Sequence, residues 1–418
     1  MSMLKRLGDD RLVAASAIMF VSFVVGSVSN YAFQLVMGRL MTPSTYGVLN
    51  TLLSAMVIFS VPLAAAQMAV SRRMAATQAR AAFGEARMQL RSALKTSSIA
   101  AVVIAVVWVA FSEPLGKLFP SADALSLLML GLTIAVGCLP PVVLGASQGL
   151  QKFILFAVSS GLQGPLKLVF GVAAILLGFG LAGVMSGLVL SSVLLFALTL
   201  TAVRRTLSAY APLPPIDSHT MSGLAAMLLG NLGFTILTQA DMMFMAHTLS
   251  AEETGRYAAA AILGKSVMYL PGSIVLAMFP MVSAAQASRS STLPLLFKAL
   301  AISITLAGAA ALCFAVAPEL ILHLLFGERY VSAADTLRWF GFAMLPFAAG
   351  LVLLQYCLAR GALTPGLITT AVAVSFVIVQ LTIARGVVAL LQSLAVHGTV
   401  LVALLVAYVV RSHRAVHL

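Results

Sequence analysis

A succession of apolar runs, each about as long as a bilayer is thick, leaves this chain few ways to fold. Crossing a hydrocarbon core takes about 20 residues of helix, and breaking the sequence at charge clusters and Gly/Pro groups gives twelve such runs. They cover 12–38, 47–69, 97–113, 122–146, 154–178, 181–203, 221–247, 256–284, 296–317, 336–357, 364–384 and 387–410. Hydrophobic residues make up 61% of the 418, charged residues only 9%, and the mean hydropathy is +1.06, whereas soluble domains carry about 25% charge. The connectors leave no space for a large soluble domain. The expected fold is therefore an all-α polytopic membrane protein. The charged start of the chain precedes an apolar run too long for a signal-peptide core, so it reads as an uncleaved first span.

Basic residues set the orientation, because positively charged loops stay on the cytoplasmic side. One side collects Lys5, Arg6, Arg11, Arg72, Arg73, Arg80, Arg87, Arg91, Lys95, Lys152, Arg204, Arg205, Arg289, Lys298, Arg360, Arg411 and Arg414, which is 17 of the 25 basic residues. Arg39, Lys117, Arg256, Arg329, Arg338 and Arg385 fall on the other side, and Lys167 and Lys265 lie inside spans. Both termini are expected in the cytoplasm of a cell, or inner, membrane. A net charge of +13 raises nucleic acid as a partner. The charges form short groups beside spans without interleaved aromatics, so nucleic acid is excluded and anionic lipid is the expected contact.

The chain repeats itself. "FQLVMGRLMTPSTYGVLNTLL" (33–53) and "MMFMAHTLSAEETGRYAAAAIL" (242–263) share an apolar run, a Thr/Ser/Pro/Glu turn, a glycine and a second apolar run. Gly47 and Gly255 set an offset of 255 − 47 = 208 residues. "LGKLFPSADALSLLML" (115–130) and "LHLLFGERYVSAADTLRWF" (322–340) agree with it, as do "ASQGLQKF" (146–153) and "LARGALTP" (358–365). An even number of spans per half makes the repeats parallel. About 12 transmembrane helices are thus expected as two parallel six-helix lobes, 1–205 and 221–418, around a central cavity, joined by a cytoplasmic linker at 206–220.

"GRLMTPSTYGVLNTLLS", "VPLAAAQMAVSRRMA", "TILTQADMMFMAHTLSAEETGRYAAA" and "PELILHLLFGERYVSAADTLRWF", in this order, resemble the polysaccharide transporter family. Its members are O-antigen and exopolysaccharide flippases of the multidrug/oligosaccharidyl-lipid/polysaccharide (MOP) exporter superfamily. The resemblance covers essentially the whole chain. It implies a flippase that moves polyprenyl-pyrophosphate-linked oligosaccharide from the inner to the outer leaflet, with helices 1, 2, 7 and 8 framing the cavity. Glycosyltransferases or a polymerase of the same pathway are implied as neighbours, and the chain is expected to act as a monomer. Within the superfamily the alternatives are a multidrug extruder and a lipid II flippase. Outside it, the alternative is a non-transporting scaffold of a polysaccharide-synthesis complex.

Charged groups inside spans are expensive and face a cavity or a partner. Asp241, about 9 Å inside the outer end of helix 7, and Lys265, about 13.5 Å inside that of helix 8, are close enough in depth to pair at 1.5 Å per residue. Either they neutralise each other, or Asp241 takes a coupling ion while Lys265 meets the carrier pyrophosphate. Lys167 follows Gly161, Gly164 and Pro165, which should kink helix 5 and open its backbone to a cavity. It lines the lumen or snorkels to the interface. Arg39 reads as an interfacial anchor that could also serve as a lumen cation. Asn30, Gln34, Gln163, Asn231 and Gln239 could bond sugar hydroxyls or hold helices together. The segment 71–95 is expected as a basic helical extension on the headgroups.

No GxxxxGK[ST] loop occurs, so the chain does not hydrolyse ATP itself. Cys138, Cys313 and Cys357 lie in apolar runs and suggest neither disulfide nor metal. The histidines have no metal-ligand spacing. No cofactor is expected, and an enzyme is not.

Overall fold

The computed structural model describes residues 2–214, 224–270, 292–383 and 385–414, with a few more between 272 and 282. Among these, helix dominates and strand is absent. The first half runs α1 (Ser2–Leu40), α2 (Pro43–Ala79), α3 (Phe83–Ala110), the short α4 (Ser112–Leu118), α5 (Ala124–Gly137), α6 (Pro140–Gly149), α7 (Phe153–Gly161), α8 (Gln163–Leu176) and α9 (Gly180–Leu207). The second half runs α10 (Leu224–Thr248), α11 (Ala251–Tyr269), then helices at Leu293–Val316, Pro318–Leu325, Ala334–Ala359, Thr364–Thr382 and Val387–Arg414, with a 3-10 turn at Glu328–Ala333.

Local chemistry explains the interruptions. The fourth predicted span divides into α5 and α6 because Pro140 and Pro141 have no N–H to give the preceding turn. The fifth divides at Leu162, three residues before Pro165. The turn into α9 holds Gly178 and Gly180 at φ values of 80° and 59°, a region that a Cβ disfavours. The basic segment 71–95 is helical on both sides of a turn at 80–82.

Among the described residues, ten segments are long and apolar enough to cross a membrane. The sequence pattern gives twelve, and the two outside this set are α10 and α11. Their polar residues, Asn231, Gln239 and Asp241 in one and Glu252, Glu253, Arg256 and Lys265 in the other, dilute the apolar windows. Most of 271–284 in the eighth expected span and 215–220 in the expected linker lie outside the described residues.

Contacts divide the chain into two compact units. One comprises Met1–Leu40, Pro62–Lys117 and Ala122–Met221; the other comprises Met41–Val61, Leu118–Ser121 and Ser222–Leu418. The boundary within α2 falls at its internal proline, Pro62.

In the first unit α1 packs along α7 and α8. A Cβ on Gly161 would come 2.8 Å from Ser22 Cβ, one on Gly164 would come 3.0 Å from Ser29 Cβ, and one on Gly171 would come 2.7 Å from the Phe33 ring. The glycines therefore serve close helix approach, and α1 occupies the place where the sequence suggests an open cavity. Near the basic end, Met74, Ala86, Leu90, Val142, Ala146, Leu150, Val203 and Leu207 form a buried cluster. The outer face of α3 is different: Ile99, Val102, Val103, Val106 and Val109 are all more than half exposed. A contiguous apolar stripe of this kind suits contact with hydrocarbon.

Candidate functional site

The turn between α10 and α11 organises the second unit's polar centre. Ser250 opens α11 with a capping box: its hydroxyl accepts from the Glu253 N–H at 3.3 Å, and the Glu253 carboxylate accepts from the Ser250 N–H at 3.0 Å. Hydrogen bonds from the Ser250 hydroxyl and backbone hold the exposed Glu253 carboxyl below its ordinary range. The duplicated turn at the start of α2 uses Thr42 in the same way, its hydroxyl accepting from the Thr45 N–H at 3.3 Å. These caps start two helices whose glycines meet. A Cβ on Gly47 would stand 2.6 Å from the Gly255 nitrogen, and one on Gly255 would run into the Pro43 carbonyl.

Tight docking of α11 encloses three functional groups. Lys265 Nζ donates to Asp241 Oδ1 at 2.8 Å, and Tyr257 Oη donates to Asp241 Oδ2 at 2.8 Å. Asp241 is fully buried, and Tyr257 and Lys265 are 2% and 6% exposed. Phe340 covers the group from the helix Ala334–Ala359, with its ring 5.8 Å from that of Tyr257 and against Gly264. Further along the same helix pair, Gln239 Nε2 donates to Tyr269 Oη at 3.1 Å. Both carboxylate oxygens of Asp241 are satisfied. The Lys265 ammonium, with three N–H donors, uses only one among the described residues.

Breaking a buried carboxylate–ammonium contact leaves an uncompensated polar group in low dielectric and is expensive. Tyr257, which the sequence does not single out, is the third member. It sits eight residues before Lys265, but nothing in the pattern separates an inward tyrosine from an interfacial one.

The other predicted residues divide between the units. In the first unit, Lys167 Nζ lies 4.2 Å from the centroid of the Phe33 ring, an aromatic partner that a search for acids overlooks. Asn30 returns its amide to the Gly26 carbonyl at 3.0 Å, and Gln34 keeps a buried carbonyl oxygen with no hydrogen-bond partner among the described residues. Gln163 and Arg39 are exposed. In the second unit, Asn231 accepts from Gln355 Nε2 at 2.9 Å, which ties α10 to the helix Ala334–Ala359. Of the predicted set, then, Asp241, Lys265 and Gln239 share one interface. His397, also not singled out by the sequence, is buried with its ring nitrogens 3.3 Å and 3.4 Å from the Ser393 and Ser375 hydroxyls.

The polysaccharide biosynthesis protein family profile matches residues 36–335, well over half of the chain. The chain belongs to the polysaccharide biosynthesis protein family. The matched region of this family member contains both capped turns, Lys167 and the Asp241–Lys265 pair. No curated protein matches it in sequence.

Solved structures share its fold at low identity. An inward-facing multidrug resistance MATE family transporter of the MOP superfamily aligns with a TM-score of 0.75 at 14% identity, over 93% of this chain and 97% of the other. The lipid II flippase MurJ, in an inward closed conformation, aligns with a TM-score of 0.68 at 12% identity, over 95% and 87%. A MOP superfamily transporter from Pyrococcus furiosus Vc1 aligns with a TM-score of 0.66 at 14% identity, over 95% and 94%. The reverse polarity of that transporter's binding pocket suggests a different function for it. The fold of this polysaccharide biosynthesis protein is thus the MOP transporter fold.

Proposed function

We propose that this protein is a secondary transporter that flips a polyprenyl-pyrophosphate-linked oligosaccharide from the inner to the outer leaflet of the cell membrane. The observation that carries the reading is the family match across 36–335 on a chain with the MOP transporter fold over 93–95% of its length. Both termini lie in the cytoplasm in this reading, as the basic residues require. In this reading residues 1–205 and 221–418 are the lobes and 206–220 their linker, although 41–61 and 118–121 pack in the same compact unit as 222–418. Alternating access needs two states that a ligand can bias. The Asp241–Lys265 pair supports such a bias: an anionic headgroup competes for Lys265, and a coupling cation or proton competes for Asp241.

The test is reconstitution. Proteoliposomes with a fluorescent polyprenyl-diphosphate sugar in both leaflets are treated with an impermeant quencher, with and without a pH or sodium gradient. The proposal expects the label to exchange between leaflets only in vesicles that contain the protein, faster when a gradient is imposed. Transport of a cationic dye without exchange of the lipid-linked sugar would favour an extruder instead. No movement of either, together with co-purification of glycosyltransferases, would favour a scaffold.

A further inference from the structure

The basic end of the first unit carries a groove that this reading does not use. It lies between α3 and α9, encloses about 380 Å³, and is lined by Arg87, Leu90, Arg91, Leu94, Arg204 and Leu207, with Ser208 at its edge. A cavity of that size suits a small headgroup. The helical period explains the arrangement: Arg87 and Arg91 form one i, i+4 row on α3, and Leu90 and Leu94 form the row beside it. The floor is firm, because Leu90 and Leu207 belong to the buried cluster beneath and are 3% and 1% exposed. The rim is cationic and polar.

Three guanidiniums gather here, and among the described residues none has a carboxylate partner. Glu85, the acid on the first turn of α3, is taken by Arg80 at 3.1 Å. Arg87 is oriented by donating from Nη1 to the main-chain carbonyls of Ser208, at 3.2 Å, and Tyr210, at 2.5 Å. Its Nε and Nη2 make no hydrogen bond among the described residues. Tyr210 is held in turn against Phe83, with ring centroids 4.8 Å apart. A fixed guanidinium fork beside two unpaired ones, above leucines, is complementary to an anion that bears a hydrocarbon chain.

We infer that this groove is a docking site for a lipid with a terminal phosphate or diphosphate headgroup, the arginines holding the phosphate and Leu90, Leu94 and Leu207 the first part of the chain. A terminal phosphate monoester carries up to two charges and three acceptor oxygens, which suits three guanidiniums better than a zwitterionic headgroup does. The site is separate from the Asp241–Lys265 pair, so its occupancy does not depend on whether the protein flips a lipid-linked sugar.

The experiment titrates purified full-length protein in detergent with dioleoyl phosphatidic acid, dioleoyl phosphatidylcholine and inorganic pyrophosphate. Native mass spectrometry reads occupancy, and thermal unfolding reads stabilisation. Phosphatidic acid should bind at least tenfold more tightly than phosphatidylcholine, which has the same chains. Pyrophosphate, with no chain, should compete weakly. Arg91→Gln and Arg204→Gln, at exposed positions without partners among the described residues, should each weaken phosphatidic acid binding roughly tenfold while leaving lipid-free unfolding unchanged, and Arg91→Lys should retain part of it. Leu94→Ser should weaken the lipid and leave pyrophosphate competition unaltered. Equal binding of the two lipids, unchanged binding by both Gln variants, or pyrophosphate binding as tightly as the lipid would each overturn the assignment.

Discussion

Gly47 and Gly255, equivalent positions in two copies of one turn, touch: a Cβ on the first would lie 2.6 Å from the main-chain nitrogen of the second. The contact lies within the second unit, because Met41–Val61 packs there. Each helix end must admit the other, which is why both positions hold glycine. Tyr46, the neighbour of Gly47, extends the contact by packing against Phe326 and Tyr330 at centroid distances of 5.9 Å and 5.8 Å.

Substituting either glycine should therefore destabilise the unit. Gly255→Ala meets the Pro43 carbonyl, a backbone atom that cannot swing aside, and overpacking of this kind costs about 1–3 kcal/mol. Gly308→Ala is the control, since nothing lies within 4 Å of a Cβ there. Fluorescence-detected size-exclusion of heated membranes should show a lower apparent Tm for Gly255→Ala and Gly47→Ala and no loss for Gly308→Ala. Equal behaviour of all three would remove the glycine contact as an explanation.

Lys167 gives a second expectation. Its ammonium lies over the Phe33 ring, and a desolvated cation–π contact is worth about 2 kcal/mol. Phe33→Leu and Lys167→Met should each destabilise the protein, and the double variant should lose less than the sum. A double-mutant cycle by thermal unfolding measures the coupling. Additive effects would show that the two side chains are energetically independent.

The spans are legible in the sequence because bilayer crossing imposes a length and a composition, and both are written in one dimension. The turns that hold Thr42, Ser250, Gly178 and Gly180 are legible as turns, although the helices after Thr42 and Ser250 begin at Pro43 and Ala251, several residues before the expected spans. The pairing of Asp241 with Lys265 is one of the two readings that their similar depth on neighbouring helices allows, and the structure shows it. Tyr257, Phe33 and Gln355 are not legible. Apolar and aromatic residues cover every face of a span, so the period that marks an inward face in a soluble helix is erased. The break at Leu162 is foreshadowed by Gly164 and Pro165, but its occupant, α1, is not, because the helix facing a small-residue stripe depends on tertiary contacts.

Orientation is tested by labelling. Tyr210 and Glu252 are both exposed, one beside the basic groove and the other at the start of α11. With Cys138, Cys313 and Cys357 replaced by alanine, Tyr210→Cys should react in intact cells only with membrane-permeant thiol reagents, and Glu252→Cys should react with impermeant ones. The reverse pattern would invert the topology and the direction of transport with it.

The connection after Pro214 is expected to be dispensable. Residues 41–61 pack in the same unit as 222–418, with Gly47 against Gly255 and Tyr46 against Phe326 and Tyr330, so co-expressed fragments 1–214 and 215–418 have contacts through which to reassociate. Pull-down of one fragment with the other should recover a complex that exports polysaccharide. Fragments that insert but do not associate would contradict the lobe assignment.

A double substitution separates pairing from binding at Lys265. Removing one partner of a buried ion pair leaves an uncompensated charge and costs about 3–5 kcal/mol, so Lys265→Ala should lower membrane-inserted protein sharply. Adding Asp241→Asn removes the stranded carboxylate, and Tyr257 can still donate to the amide oxygen, so folding should return. Export then decides the role. If Lys265 only neutralises Asp241, export returns with folding; if its two spare donors receive the carrier pyrophosphate, the double variant inserts and fails to export. Charge at an anion site is better preserved by Arg than by Gln, so Lys265→Arg should keep partial export where Lys265→Gln keeps none at equal protein level. Surface polysaccharide per inserted protein is the measurement, and full export by the Asp241→Asn, Lys265→Ala protein would refute the carrier-binding role.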